Sequence, residues 1–516
     1  MTKPVSLEEA RKAKGKGRRN STPAKATADG DLHVRVEEIN QEFSLVLVGG
    51  RALILRECLD YAGKEAIDFM AISAFRAWLD DERVWDGESE RIVGMGDIWL
   101  KHPQRLKYGG VAFAPEGVPA GWFNLWRGFT VEAAAPYDDP RDHAKHFPTL
   151  YEHVLVNIAR GSVDLARWVW GWFAQMIQQP TIKPGTSLVM RGLQGCGKSK
   201  LGESVGALLG PHWVKISQPK HLTGSFNGHM AACLLLHADE GFWAGDKSAE
   251  GVLKDLVTSD IHLIERKGVD AVQIRNLIRL YVSSNSDWVV PAGPEERRFA
   301  VLDVGNRNLQ DKAFFAQIDA ELADGGRSHL LAYLQRFDLT KVDLRSIPAT
   351  EALFEQKVAS MNELQGWWMD RLRDGKLLPQ HGDWKGEVAT DPFYRNYVSY
   401  AEQISKARRL SKEQFGLGLR KLMPATGFRS DQRVWVDEYG PEGERVKNTD
   451  GSWARKRVRG YHVPPLGECR RRFCEMFRWN VPWGDEEGVG DSGAVTDAAP
   501  DPSLAAEDGG GFELMD

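Results

Sequence analysis

Residues 192–199, with the sequence GLQGCGKS, constrain the fold of this chain more than any other feature. The stretch matches the pattern G-x-x-x-x-G-K-[ST] at every fixed position, follows a short apolar run at 188–190 and precedes apolar residues at helical spacing. A strand, a glycine-rich turn and a helix in this order direct backbone N–H groups toward a phosphate at the helix N-terminus. The stretch therefore predicts an α/β fold with a parallel sheet and a polyphosphate-binding loop. A glycine-rich turn that ends in Lys-Ser by chance is the alternative.

The chemistry of a triphosphate assigns a role to each side chain of this loop. Lys198 is expected to reach the β- and γ-phosphates, and the Ser199 hydroxyl is expected to bind Mg²⁺. ATP and Mg²⁺ are therefore the cofactors that the sequence predicts. The residues predicted to contact the nucleotide are Gly192, Gly195, Cys196, Gly197, Lys198 and Ser199.

A second apolar strand, at 233–240, ends in two adjacent carboxylates. Asp239 is predicted to lie beside the Mg²⁺ that Ser199 binds. Glu240 is predicted to polarise the attacking water, because a carboxylate within hydrogen-bond reach can accept its proton. Adjacent Asp and Glu also follow apolar runs by chance, but the position one crossover after the glycine-rich loop favours the functional interpretation.

A third predicted strand, at 277–284, is followed by Asn285. A neutral amide at the carboxyl end of a strand can orient the water or contact the γ-phosphate. An asparagine that only stabilises a turn is the alternative.

Two arginines, Arg297 and Arg298, precede a final predicted strand at 299–304. At the edge of a sheet, one of them can project into the site of a neighbouring subunit and stabilise the charge that develops on the γ-phosphate. A local salt bridge with Glu295 or Glu296 is the alternative. The sequence does not distinguish which arginine has which role.

Between the second and third strands, residues 261–274 form a predicted hairpin with Arg266 and Lys267 at its tip. A basic tip can bind the phosphates of a nucleic acid without reading its sequence. A solvated turn is the alternative.

Taken together, the motifs resemble those of superfamily 3 helicases within the AAA+ ATPases, especially the helicase parts of bacteriophage and poxvirus-type primase-helicases. The residues that carry the resemblance are Gly192–Ser199, Asp239-Glu240, Ser284-Asn285 and Arg297-Arg298. The resemblance is densest over 183–304. It implies an AAA+ P-loop ATPase core, a hexameric ring, and single-stranded DNA threaded past pore hairpins such as the one that carries Arg266 and Lys267.

The implied function is an ATP-dependent replicative DNA helicase of a phage or mobile element. Its implied partners are single-stranded and forked DNA, further copies of the same chain, and a primase or polymerase supplied in trans. One alternative is a DNA-stimulated ATPase that acts as a replication initiator or remodelling switch without processive unwinding. Another is a DNA-binding scaffold with a degenerate nucleotide site.

The chain is predicted to divide into an ATPase core and flanking segments. These are a disordered basic arm (1–31), an α+β module (32–148), a helical collar segment (149–182), the ATPase core (183–306), a helical lid or linker (307–385), a winged-helix-like basic module (386–483) and a disordered acidic tail (484–516). The α+β module has no zinc-ligand cluster and no evident pair of catalytic carboxylates, so primase activity is not expected there.

Local patterns predict several elements of the flanking segments. Gly49-Gly50 is predicted to turn a hairpin, and 66–78 is compatible with a helix. In the collar segment, aromatic residues including Trp168 and Trp172 nearly encircle one helix, which predicts burial between neighbouring helices or subunits.

The C-terminal module is predicted to contain two helices and then a hairpin. Residues 411–414 form a capping box at the start of the second helix, and strands are predicted around Trp435 and at 457–461. From Lys406 to Arg478, Lys and Arg outnumber Asp and Glu by about two to one, which is typical of a DNA-binding module. A structural lid with a solvated basic face is the alternative.

The cellular environment is predicted from what the chain of 516 residues lacks. No uncharged apolar run approaches the length of a membrane span, and the first residues lack a signal-peptide core. The five cysteines are scattered, which favours reduced thiols over a disulfide framework. We therefore expect a cytoplasmic protein without a membrane partner.

Overall fold

The computed structural model describes residues 29–61, 63, 65–86, 90–218, 220–224, 227–239, 247–266, 269–404, 409–438 and 445–483. The acidic tail, most of the predicted basic arm, and the predicted site residues Glu240 and Lys267 lie outside the described residues. The described residues form a mixed α/β fold built around a five-stranded parallel sheet.

The N-terminal region is a four-stranded sheet covered by short helices, with strand order β3-β2-β1-β6. Its elements are α1 (Asp29–Asn40), β1 (Phe43–Val48), β2 (Arg51–Leu59), β3 (Glu65–Met70), α2 (Ile72–Trp78), β4 (Arg83–Asp86), β5 (Arg91–Gly94), α3 (Met95–Lys101), β6 (Lys107–Tyr108), β7 (Gly110–Ala112) and β8 (Trp122–Asn124). The predicted hairpin at Gly49-Gly50 is confirmed, because Val48 pairs with Arg51 across the turn.

The predicted helix over 66–78 is wrong in its first part. Residues Glu65–Met70 form β3, which pairs antiparallel with β2, and only Ile72–Trp78 is helical. The alternating residues Ile67 and Phe69 pack against the cluster that contains Val46 and Leu55. Pairing with the long β2 strand and burial of this alternate face therefore outweigh the helical propensity of the local sequence.

The middle of the chain carries the parallel sheet, with strand order β10-β11-β14-β9-β15. Its elements are α4 (Pro148–Glu152), a π-helical turn (His153–Ile158), α5 (Val163–Gln178), β9 (Ser187–Arg191), α6 (Lys198–Leu209), β10 (Trp213–Ile216), α7 (Lys220–Thr223), β11 (Leu235–Asp239), α8 (Lys247–Thr258), β12 (Ile261–Arg266), β13 (Val269–Arg275), β14 (Arg279–Ser284), β15 (Phe299–Asp303), α9 (Lys312–Glu321) and α10 (Arg327–Arg336). Every residue of β9 and β14 is buried, as expected for parallel strands covered on both faces.

The tryptophan-rich helix α5 is buried within this chain. The indole N–H of Trp168 donates to the carbonyls of Asp343 and Ser346, and that of Trp172 donates to Thr186 O at 3.2 Å. The buried side chains of α5 share one hydrophobic cluster with those of β9, α6 and α10. The helix that the sequence places in a collar segment thus packs directly on the sheet that carries the glycine-rich loop.

The C-terminal region contains the predicted succession of two helices and a hairpin. Its elements are α11 (Glu351–Ala359), α12 (Glu363–Asp374), β16 (Glu387–Ala389), α13 (Thr390–Ile404), α14 (Lys412–Leu422), β17 (Arg429–Asp437), β18 (Arg455–His462) and α15 (Leu466–Phe477). The capping box at the start of α14 is confirmed, because Ser411 Oγ accepts from Gln414 N and Gln414 Oε1 accepts from Ser411 N.

The core of this C-terminal module begins upstream of the predicted boundary at residue 386. The ring of Trp367 on α12 lies 4.8 Å from Phe393 and 5.4 Å from Phe415, centroid to centroid. Trp367 and Trp368 are both fully buried in this cluster. Helix α12 therefore packs with the module, since its two indoles find aromatic partners there.

Among the described residues, no helix combines the length and the apolar character that crossing a membrane requires.

Candidate nucleotide-binding site

The glycine-rich loop connects the end of β9 at Arg191 to the start of α6 at Lys198. Gly195 and Gly197 adopt φ values of +86° and +92°, which favour glycine. A Cβ at Gly197 would lie 2.5 Å from His153 Cε1, and one at Gly195 would lie 2.9 Å from Gln310 Cγ. The loop therefore requires glycine for both its backbone conformation and its close packing.

The ammonium of Lys198 lies inside the loop, with only 7% of the residue exposed. It donates to the carbonyls of Gly192 and Leu193, each at 2.8 Å, and to Asn285 Oδ1 at 2.5 Å. The structure thus brings together Asn285 and Lys198, which are 87 residues apart in the sequence. These three partners are neutral oxygen acceptors, so an anionic ligand would bring a counter-charge to the ammonium.

Three oxygen-bearing side chains meet at the carboxyl ends of the neighbouring strands β11 and β14. Ser199 Oγ donates to Asp239 Oδ1 at 2.9 Å, and Ser283 Oγ donates to the same atom at 2.5 Å. Asp239 and Ser283 are directly paired residues of the two strands. Hydroxyl and carboxylate oxygens are ligands that Mg²⁺ prefers, so Ser199 and Asp239 fit the predicted metal role.

Asp239 is held in its charged form. Partial burial raises the pKa of Asp239, but hydrogen bonds from Lys215, Ser283 and Ser199 outweigh burial and lower the pKa to about 2. Lys215 Nζ lies 2.6 Å from Asp239 Oδ2. No sequence motif identifies Lys215, because its proximity to Asp239 depends on β10 lying beside β11 in the sheet.

A neutral histidine, His237, contacts this oxygen cluster through Ser283. His237 Nε2 lies 2.9 Å from Ser283 Oγ. The Ser283 proton is already donated to Asp239, so His237 Nε2–H donates to Ser283 Oγ. Burial lowers the pKa of His237 to about 4, consistent with a neutral ring. A polar residue inside the apolar strand 235–239 was a detectable signal that sequence analysis did not use.

The π-helical turn His153–Ile158 packs behind the loop. Asn157 Nδ2 donates to Cys196 O at 3.0 Å, and His153 Nε2 donates to Gly197 O at 3.2 Å. Burial lowers the pKa of His153 to about 4, so the ring is neutral near pH 7. Neither residue is predicted from the sequence, since no motif identifies a contact made from a segment upstream of the strand. π-Helical turns are frequent at functional sites.

Arg297 and Arg298 lie at the opposite edge of the sheet from the loop. They precede β15, an edge strand parallel to β9, so they are at its amino end, whereas the loop follows the carboxyl end of β9. The buried carboxylate of Glu296 accepts from both backbone N–H groups, at 3.0 and 2.7 Å. Its Oε1 also lies 3.8 Å from Arg298 Nη1, so the local ion pair offered as the alternative is present for Arg298. Both arginines line a cleft of about 950 Å³ that α12 and α14 close from the other side.

The predicted hairpin that carries Arg266 is confirmed as the antiparallel pair β12–β13. Arg266 is the last residue of β12, and the rest of the tip lies outside the described residues. Arg275 near the base of β13 forms an ion pair with Glu116, which links the hairpin to the N-terminal region. The hairpin is a separate two-stranded sheet that lies between β11 and β14 in chain order.

Fold and site together define a mixed α/β protein whose parallel sheet carries a glycine-rich loop, a buried lysine and an oxygen cluster at one edge. Residues 190–298 match a family described as a family of unknown function (DUF5906). Over 165 residues the chain is 25% identical to the DNA Primase-polymerase of Nitratiruptor phage NrS-1. This aligned region covers 31% of this chain and 23% of that protein. The chain thus matches less than a quarter of its curated relative's length.

The fold is similar to that of solved structures of the NrS-1 C-terminal region. One apo structure superposes with a TM-score of 0.56 at 16% identity, covering 85% of this chain and 100% of the other. A second apo form gives a TM-score of 0.56 at 15% identity, covering 83% and 98%. The similarity extends over most of the chain, well beyond the residues that match the family.

Proposed function

We propose that this chain is a phage-type DNA replication protein whose parallel sheet is an AAA+ ATPase core of the superfamily 3 helicase type. In this proposal it hydrolyses ATP as a ring-shaped oligomer and couples hydrolysis to movement along single-stranded DNA. The similarity to a phage primase-polymerase supports the replication context. The sequence motifs that the structure gathers at one sheet edge support the ATPase.

The single observation that carries the proposal is the hydrogen bond of 2.9 Å between Ser199 Oγ and Asp239 Oδ1. It joins the first turn of α6 to the carboxyl end of β11, two strands away from β9, as a nucleotide-bound cation between these two side chains would require. Ser199 and Asp239 would hold Mg²⁺, which neutralises charge on the β- and γ-phosphate oxygens. Lys198 would exchange its carbonyl partners for phosphate oxygens.

The remaining chemistry belongs to residues near this centre. Glu240 follows Asp239 directly and remains the proposed acceptor of the water proton. Asn285 Oδ1 accepts a hydrogen bond from Lys198 Nζ, and Asn285 is proposed to contact the γ-phosphate or the attacking water. Asn285 directly follows β14, so this contact would connect the γ-phosphate to the carboxyl end of that strand.

The position of Arg297 and Arg298 supports an oligomer. Because they lie on the sheet edge opposite the loop, neither serves the site of its own chain. A head-to-tail contact between copies would bring one copy's arginine edge to the next copy's loop edge, and such contacts close into rings. We propose a homo-oligomer, a hexamer by resemblance, in which one of the two arginines completes the neighbouring site.

DNA is the proposed polymer substrate. The β12–β13 hairpin, with Arg266 and Lys267 at its tip, is proposed to contact the phosphates of a single strand in the ring. Forked DNA is the proposed unwinding substrate, and a primase or polymerase is a proposed partner in trans.

A comparison of Lys198→Ala with wild type tests the proposal. The variant is expected to lose ATP hydrolysis and separation of a forked duplex together, whereas Lys101→Ala, an exposed lysine of α3, should retain both. Hydrolysis or unwinding by Lys198→Ala at the wild-type rate would refute the assignment. Wild-type protein that hydrolyses ATP in response to DNA but leaves the fork intact would instead identify an initiator or remodelling switch.

A further inference from the structure

The C-terminal hairpin carries exposed guanidinium and indole groups on one face. Residues two apart on a strand share a face, so Arg433 and Trp435 on β17 lie together. Across the ladder they pair with Arg459 and Arg457 on β18, respectively. All four residues are exposed. The face therefore alternates cationic and aromatic groups along and across the two strands.

This face concentrates positive charge and exposed apolar surface. Arg433 and Arg459 are direct cross-strand partners of like charge. Trp435 is 49% exposed and Trp453, in the segment that leads into β18, is 44% exposed, so neither indole gains the stabilisation of full burial. An unpaired polynucleotide presents both an anionic backbone and flat apolar rings, which match these two features.

The hairpin face borders an open groove of about 1730 Å³, here called the hairpin groove, between α13, α14 and strands β16–β18. Its lining contains eight Lys or Arg residues and four Asp or Glu residues, an excess of four positive charges. Trp435 and Trp453 both line it. The groove is larger than ordinary small-molecule pockets and is open, which suits a polymer.

Cations already lie against the two indoles. Arg445 Cζ lies 4.7 Å and Lys447 Nζ lies 4.9 Å from the Trp453 ring centroid, and Arg457 Cζ lies 5.7 Å from that of Trp435. Aromatic platforms interleaved with basic groups bind unpaired bases by stacking and backbone phosphates by charge. Bases in a duplex are stacked on one another and cannot stack on these rings.

We infer that the hairpin groove binds single-stranded DNA, with Trp435 and Trp453 as base-stacking platforms and Arg459 as a phosphate contact. The choice of DNA rests on the proposed function, whereas the single-stranded form rests on the exposed indoles. This site is separate from the β12–β13 hairpin and lies in a different part of the chain.

Binding of full-length protein to labelled oligothymidylate, measured by fluorescence anisotropy, tests the inference. Trp435→Ala and Trp453→Ala are each expected to weaken binding about 5- to 100-fold, the range for loss of one stacked base. Trp435→Phe should restore most of the affinity, which a merely misfolded hairpin would not predict. Arg459→Gln, which removes one positive charge from the groove lining, should reduce the slope of log affinity against log salt by about 0.7.

The matched control is Trp78→Ala on α2. Trp78 is 56% exposed and has the Arg56 guanidinium 4.6 Å from its ring, but it lies in the N-terminal region. Wild-type affinity in both hairpin-groove variants would overturn the inference, as would an equal loss on blunt duplex DNA or a loss confined to RNA. Basal ATP hydrolysis without DNA is expected to be unchanged in these variants. If the wild-type protein shows no ATP hydrolysis that depends on Lys198, the proposed function is rejected, but this inference is not.

Discussion

The ammonium of Lys215 lies 2.6 Å from Asp239 Oδ2, while Asp239 Oδ1 accepts hydrogen bonds from Ser199 and Ser283. One carboxylate therefore connects a lysine of the neighbouring strand to the hydroxyls of the proposed metal site. The second partner of Lys215, Glu203 on α6, lies 2.8 Å away and helps to keep the ammonium in place. A divalent cation that binds Asp239 must share it with a resident positive charge.

Replacing Lys215 by Met is therefore expected to strengthen Mg²⁺ binding. The ion pair is partly exposed, so its contribution is at most about 1 kcal/mol, which corresponds to about a five-fold change. We therefore expect the Mg²⁺ concentration for half-maximal ATP hydrolysis to fall by about two- to five-fold, because the lost ion pair contributes about 1 kcal/mol or less. Lys215→Arg keeps the charge and serves as the control. A higher Mg²⁺ requirement in Lys215→Met would show that the lysine assists the metal site.

The buried His153 is expected to make stability depend on pH. Its folded pKa of about 4 lies below the ordinary value of 6.5. Between these values the unfolded chain binds a proton that the folded chain excludes, so stability falls as the pH falls. From about pH 7 to about pH 5 the loss is about 2 kcal/mol.

His153→Gln does not titrate and keeps an N–H donor for Gly197 O. Urea unfolding of this variant should lose about 2 kcal/mol less than wild type over the same interval. The exposed His33→Gln on α1 controls for removal of any histidine. Identical pH dependence of wild type and His153→Gln would contradict the burial of a neutral ring behind the loop.

Gly197→Ala is expected to weaken nucleotide binding. The new Cβ would meet His153 Cε1 at 2.5 Å in a backbone conformation with φ of +92°. The left-handed conformation alone costs about 1–2 kcal/mol for a residue with a side chain. We expect nucleotide affinity, measured by calorimetry, to fall by at least about ten-fold, because relief of the clash displaces the loop.

Gly251→Ala on α8 is the matched control. An added Cβ at Gly251 meets nothing within 4 Å, so the change should stabilise the helix by about 0.5–1 kcal/mol and leave nucleotide binding intact. Similar binding by the two glycine variants would show that the loop relaxes without loss of function.

Mixed oligomers can identify the arginine that acts between subunits. Alanine at the correct position, Arg297 or Arg298, should reduce ATP hydrolysis by about 10³-fold or more. Mixing that variant with Lys198→Ala should restore activity, because roughly a quarter of random interfaces then pair an intact loop with an intact arginine. A variant that carries both Lys198→Ala and the arginine substitution should remain inactive. Absence of recovery in mixtures that do assemble would argue against a site shared between copies.

Much of the local structure was predictable because its signals are short-range. The capping box at Ser411 and Gln414 formed as expected, since both partners lie within one helical turn. The strand, turn and helix around Gly192–Ser199 likewise follow from glycine positions and apolar spacing. The same local reasoning failed at Glu65–Met70, where the partner strand β2, and not the local pattern, decides the conformation.

The sequence by itself determined which side chains stand at the glycine-rich loop and at the strand ends: Lys198 and Ser199 begin α6, Asp239 ends β11, and Asn285 follows β14. Only the tertiary structure decided which groups surround them. Lys215 reaches Asp239 because β10 pairs with β11, and His153 reaches Gly197 because a π-helical turn packs behind the loop. Strand order and packing are long-range outcomes of burying apolar surface across the whole chain, and no local pattern encodes them.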